Sequence, residues 1–138
     1  MSIQKRRYWP ILVCVILLVL LCHPAVAPCV GSAEETALCL QTLMNFGWEV
    51  DSEPISVEPV TLSLGADDPY LRLQTQAGFD LTSVLGRTVT RYTFLIRNYP
   101  TGEAGIYADV LVLDGRVVGG DVRCTALNGF LHSLVYPA

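Results

Sequence analysis

The chain has 138 residues, 51% hydrophobic and 16% charged, with 9 basic and 13 acidic side chains and a formal net charge of -4. Setting Lys5, Arg6 and Arg7 aside leaves 6 of the 9 basic residues against all 13 acidic ones, so everything beyond the N-terminus is acidic. That balance, with no basic patch interleaved with aromatics after residue 30, argues against nucleic acid as a partner.

The first element is an uncharged run from Ile11 to Cys22, preceded by Lys5, Arg6, Arg7, Tyr8 and Trp9, and no acidic residue appears before Glu34. Cations on one flank only predict that this flank stays cytoplasmic and that the rest is exported. The strict run is shorter than the roughly 20 residues of a spanning helix. Counting Tyr8 and Trp9 at one end and Pro24 to Val30 at the other, the uncharged stretch becomes long enough to cross a bilayer. Ala25-Val26-Ala27 has the small residues of a cleavage site, but Pro28 behind it suits a protease subsite poorly. Residues 1–30 are therefore read as a signal anchor or signal peptide and 31–138 as one small extracytoplasmic domain. The expected location is the cell membrane, single-pass with the C-terminal domain outside, or secreted if the leader is cleaved near Ala27.

Ser32-Ala33-Glu34-Glu35 has the form of a capping box, which predicts a helix from Ala33. Ala33, Ala37, Leu40 and Met44, with Cys39, Leu43 and Phe46 beside them, give it one broad apolar face, and Gly47 ends it. From Trp48 to Leu64 the pattern is extended, and Pro54 and Pro59 confine it to a sheet edge or a partly unpaired segment, with Trp48 as a core plug. Asp67-Asp68-Pro69 caps a short helix running to about Ala77, with Gly78 as its stop; capping accounts for both carboxylates without a cation. Phe79-Asp80-Leu81-Thr82 starts another turn, with Leu81 and Leu85 closing the core beneath it.

Thr88 to Arg97 reads as a strand with Tyr92, Phe94 and Ile96 on one face and Arg91, Thr93 and Arg97 on the other. Ile106 to Leu113 and Arg116 to Asp121 are two more, joined by the Asp114-Gly115 hairpin signal into an antiparallel meander. That turn places Leu113 opposite Arg116, Leu111 opposite Val118 and Asp109 opposite Gly120. Gly119-Gly120 then leaves space opposite Asp109 and Val110, for a bulge or a closely packed helix ahead of a ligand groove. Thr125 to Leu134 is expected to turn at Asn128-Gly129 and to pack Phe130 and Leu131 on the sheet. The expected fold is α+β, one long and one short helix packed on an antiparallel sheet of three to four strands, preceded by an N-terminal transmembrane or signal helix.

Five short signatures, Gly47-Trp48-Glu49-Val50, Gly78-Phe79-Asp80-Leu81, Thr90-Arg91-Tyr92-Thr93, Asn98-Tyr99-Pro100 and Asp114 through Asp121, follow one another in this order. Together they resemble an uncharacterised bacterial family, a domain of unknown function found in short, anchored extracytoplasmic proteins of Gram-positive bacteria. The likeness runs from about Ala33 to Leu134 and implies no activity and no catalytic residue.

Chemistry is sparse. Cys14 and Cys22 lie in the apolar run, leaving Cys29, Cys39 and Cys124 as buried thiols or, in an oxidising compartment, a disulfide, with Cys39 to Cys124 the pairing to test. No Cys-x-x-Cys, zinc spacing, Gly-x-Ser-x-Gly elbow, phosphate loop or dinucleotide fingerprint occurs, so no cofactor or metal is expected. Beyond the anchor, residues 1–30, His132 is the only histidine, and with Cys124 it is the basis of an alternative reading as a small thiol-dependent enzyme. Tyr99 and Tyr107 form the candidate interaction surface for a protein or peptide partner. The leading expectation is a non-catalytic, membrane-tethered extracytoplasmic interaction or regulatory module, with the membrane itself a partner through the N-terminal helix.

Overall fold

Helix α1 (Ala33–Asn45) begins where Ser32 Oγ accepts the Glu35 N–H at 3.0 Å, with Glu34 and Glu35 placing negative charge on the first turn. The Glu35 carboxylate accepts the Tyr92 hydroxyl at 2.5 Å, so the start of the helix is tied to the sheet. Residues 31–137 are described by this computed structural model; the apolar run, with the anchor, cleavage and compartment expectations drawn from it, and Cys14, Cys22 and Cys29 lie outside the described residues. No helix among the described residues is long and apolar enough to cross a membrane.

The buried stripe of α1 is narrower than its apolar pattern. Cys39 and Leu43 are buried and Leu40 and Phe46 half-buried, whereas Ala33, Ala37 and Met44 are exposed. A single helix laid on one sheet face buries only the arc turned toward that sheet, and among the described residues no second element covers Met44. Gly47, at φ 89°, takes the left-handed conformation that lets the chain leave the helix, and Trp48 drops into the core with its indole N–H donating to the Leu134 carbonyl at 2.7 Å.

Five antiparallel strands lie side by side in chain order: β1 (Ser56–Thr61), β2 (Thr88–Leu95), β3 (Ile106–Leu113), β4 (Arg116–Cys124) and β5 (Leu131–Ser133). The expected three to four strands become five because both ends of the meander gain an edge. The proline-broken stretch contributes β1, where Pro59 sits on an edge strand that needs ladder bonds on one side only. The chain after Asn128-Gly129 returns to pair Leu131, His132 and Ser133 with Arg123, Val122 and Asp121. Val50 makes one isolated bridge to Ile96, so the extended pattern of Trp48 to Leu64 is mostly irregular. Leu131, expected in the core, is 48% exposed, and Phe130 alone of that pair packs half-buried against the core.

Side-chain alternation gives the sheet two faces, both covered by apolar residues at least in part. On the first, Tyr92, Phe94, Ile106, Ala108, Val110 and Val122 pack with α1, Trp48 and Leu134. On the second, Val89 and Leu111 pack with Leu62, with Leu71 of helix α2 (Pro69–Gln76), and with Leu81 and Val84 of a 3-10 turn (Leu81–Val84). Asp68 Oδ1 caps α2 by accepting the Tyr70 N–H at 2.9 Å, and Pro69 opens it.

The β3–β4 turn has Asp114 at φ 50° and Gly115 at φ 71°, the two left-handed residues of a type I′ hairpin. Leu113 faces Arg116 as expected, but the pairing then slips: Leu111 faces Gly119, Val110 faces Gly120 and Asp109 faces Asp121. Val118 is the additional residue of a β-bulge. The expected partners Leu111 with Val118 and Asp109 with Gly120 are therefore corrected by one position. The two glycines are required by what packs on them. A Cβ at Gly119 would lie 2.8 Å from Gln74 Oε1, and one at Gly120 would lie 2.6 Å from Leu134 Cδ1. Gln74 Oε1 accepts the Gly120 N–H at 2.8 Å, just beyond the end of β5, so this buried side chain takes the place of a strand along that part of the β4 edge.

A charged trough as the candidate functional site

Register partners in an antiparallel sheet share a face. Ser56, Thr93, Asp109, Asp121 and Ser133 are successive partners across all five strands, and they form a polar row on the second face. Asp109 is 2% exposed and Asp121 4% exposed. Two carboxylates set directly opposite each other repel, so their presence in the middle of a sheet requires specific partners.

Asp109 has them: Oδ1 accepts the Thr93 hydroxyl at 2.5 Å and Oδ2 accepts Arg123 Nε at 2.7 Å. Asp121 is only half satisfied, because Oδ2 accepts the Tyr70 hydroxyl from α2 at 2.5 Å while Oδ1 is buried without a partner among the described residues. Arg91, next along β2, pairs with Glu58 at 3.1 Å through one Nη, and its Nε is buried and unpartnered among the described residues. The Arg123 guanidinium lies 5.6 Å from the centre of the Tyr107 ring. Over this floor of Arg91, Asp109, Asp121, Arg123 and Tyr70 opens a cavity of about 300 Å³ walled by apolar residues that include Leu62, Leu111 and Leu131. Its size sits at the lower end of small-ligand pockets, roughly 300–1,000 Å³.

Burial is the main reason that the Asp121 carboxyl is pushed up to about 6; Asp109 adds to the rise, while the Tyr70 hydrogen bond, Arg123 and Arg91 oppose it. The Tyr70 phenol is itself pushed up, by burial and then by Asp121, and so stays a donor. Asp109 holds Arg123 protonated, chiefly through their hydrogen bond. A carboxyl with a raised folded value binds a proton that the unfolded chain, at about 3.9, has already lost. Its contribution to stability is therefore present at low pH and is lost as pH rises from about 4 through about 6. Asp121→Asn, which keeps a neutral group at all pH, should remove this slope and leave the protein more stable than the parent at pH 7 by on the order of 2 kcal/mol. Urea unfolding of both proteins across that window measures it, and parallel curves would refute it.

The residues singled out from the sequence fall elsewhere. Tyr99 stacks on Trp48 with ring centres 5.9 Å apart and on Phe130 at 5.3 Å, within the first core. Tyr107 lies on the opposite face beside Arg123, so the two tyrosines do not share one surface. His132 Nδ1 donates to the Ser133 carbonyl at 2.6 Å, which leaves Nε2 to accept the Tyr99 hydroxyl at 3.2 Å. Both ring nitrogens are thus engaged away from Cys124. Cys39 and Cys124 are free thiols, and burial, with Glu35 nearby, pushes that of Cys39 up to about 12. Among the described residues no group of three or more His, Cys, Asp or Glu side chains could hold a metal ion.

Sequence reasoning placed space opposite Asp109 but ranked a ligand groove there behind a bulge or a packed helix, and it did not bring Tyr70, Arg91, Asp121 or Arg123 to it. One signal was available: Asp109 interrupts Ile106–Leu113 between Ala108 and Val110, and an acid inside a strand apolar on both faces needs a partner. No protein-family model matches the chain, and no curated protein or solved structure matches it either.

Proposed function

We propose that this chain is a membrane-tethered, extracytoplasmic binding module that acts without catalysing a reaction and seats its ligand in the charged trough. The observation that carries the reading is the half-satisfied pair Asp109 and Asp121 beneath an open cavity. Replacing buried ion pairs with well-packed apolar residues is often neutral or stabilising, so stability alone gives no reason to keep them. Two carboxylates and two guanidinium groups converging on a cavity are the kind of polar set with which small-ligand sites orient what they bind. The engagement of His132 by Tyr99 and Ser133 supports binding over thiol chemistry at Cys124.

The tether rests on the uncharged run Ile11 to Cys22 behind Lys5, Arg6 and Arg7, and the resemblance carried by the five signatures points the same way.

Two measurements test the proposal. Protease added to intact cells should digest the C-terminal domain; its survival in the cytosol would refute the compartment. In detergent, the full chain titrated with a panel of amino acids, short peptides and small carboxylates should show NMR shifts centred on Tyr70, Arg91, Arg123 and Leu131. Shifts centred instead on Trp48 and Tyr99 would move the ligand seat to the other face.

A further inference from the structure

The unsatisfied groups of the trough are of two opposite kinds, and together they specify a ligand. Among the described residues, Asp121 Oδ1 is a buried carboxylate oxygen with no donor, and Arg91 Nε is a buried cationic N–H with no acceptor. Arg123 spends its Nε on Asp109, and among the described residues its two Nη groups make no hydrogen bond. A ligand that fills the cavity must therefore bring a donor for an anion and an acceptor for cations. A purely anionic ligand would leave Asp121 Oδ1 unpaired and add a like charge beside it. A purely cationic one would leave the guanidinium edges unpaired. The walls formed by Leu62, Leu111 and Leu131 favour an apolar body.

We infer that the trough binds a free amino acid with an apolar side chain, its ammonium on Asp121 Oδ1, its carboxylate between the free N–H edges of Arg91 and Arg123, and its side chain against the leucine wall. This rests on the trough being the ligand seat. Its volume of about 300 Å³ accommodates one such molecule. Binding satisfies the buried oxygen and the buried N–H in one step, which is where the affinity originates, because each costs free energy while unpaired. Tyr70 is a positioning residue here: its hydroxyl holds Oδ2 and so fixes the carboxylate.

Leucine titrated calorimetrically into the full chain in detergent tests the assignment, with three comparison probes. N-acetylleucine lacks the ammonium, leucinamide lacks the carboxylate, and the dipeptide leucyl-leucine separates the two charges. Each should bind at least about tenfold more weakly than leucine, the factor that one charge-assisted hydrogen bond sets. Asp121→Asn should erase the preference for leucine over N-acetylleucine and keep that over leucinamide. The probe series needs no variant, so it stands whatever the variant's stability. Leucine binding no tighter than N-acetylleucine would overturn the assignment. If leucine is silent but other probes shift Tyr70 and Leu131, the trough remains a binding site and the amino-acid assignment fails. Silence toward every probe overturns both.

Discussion

Arg123→Met should lower the stability of the domain by about 3 kcal/mol at pH 7, because it strips Asp109 of its cation and leaves a carboxylate 2% exposed with only Thr93 for support. The Arg123 side chain is 33% exposed, so water partly compensates and the loss falls at the lower end of the range for broken buried pairs. Asp109→Asn in the same chain should recover most of the stability, since it removes the charge that had lost its partner. Urea unfolding of the parent, both single variants and the double variant gives the coupling directly. Losses that add, with no rescue in the double variant, would mean that Arg123 acts through its packing on Tyr107 rather than through its charge.

Gly120→Ala should cost about 2–3 kcal/mol, for a different reason. The new methyl would lie 2.6 Å from Leu134 Cδ1 and 2.7 Å from the Asp109 carbonyl oxygen. Leu134 can turn aside, but the carbonyl belongs to the backbone of β3 and moves only if the β3–β4 pairing opens. Gly119→Ala should cost less, because its nearest obstacle is the end of the Gln74 side chain at 2.8 Å, although displacing Gln74 gives up the bond to the Gly120 N–H. Gly65→Ala, with nothing within 4 Å of the added carbon, serves as the near-neutral control. Thermal unfolding should rank the three in that order, at about 4–8 °C per kcal/mol for a domain of this size. A Gly120→Ala protein as stable as the control would show that the sheet relaxes at the bulge.

Both predictions depend on a single slipped residue. Asp114-Gly115 announces a two-residue hairpin, and counting back from it correctly pairs Leu113 with Arg116. The same count fails at Val118, since a bulge is set by what packs on the strands, here Gln74 and Leu134, and neither is a neighbour in the chain. With that slip Asp121 moves opposite Asp109 and the trough exists; without it Asp109 would face a glycine. The face of α1 is a smaller instance of the same cause. Its apolar period marks a helix with one sided burial, but whether Met44 lies inside or outside depends on how far the sheet extends beneath it.

What is local was decided by residue order alone: the Ser32 and Asp68 caps, the Gly47 stop, the type I′ turn at Asp114-Gly115 and the strand Ile106–Leu113 all follow from steric and hydrogen-bonding preferences that act within a few residues. The fifth strand, the bulge and the five-strand row that sets Asp121 beside Asp109 were decided only in three dimensions. Contacts between Tyr70 and Asp121 or Gln74 and Gly120 join residues some fifty positions apart, and their energies exist only once the sheet has brought them within bonding distance.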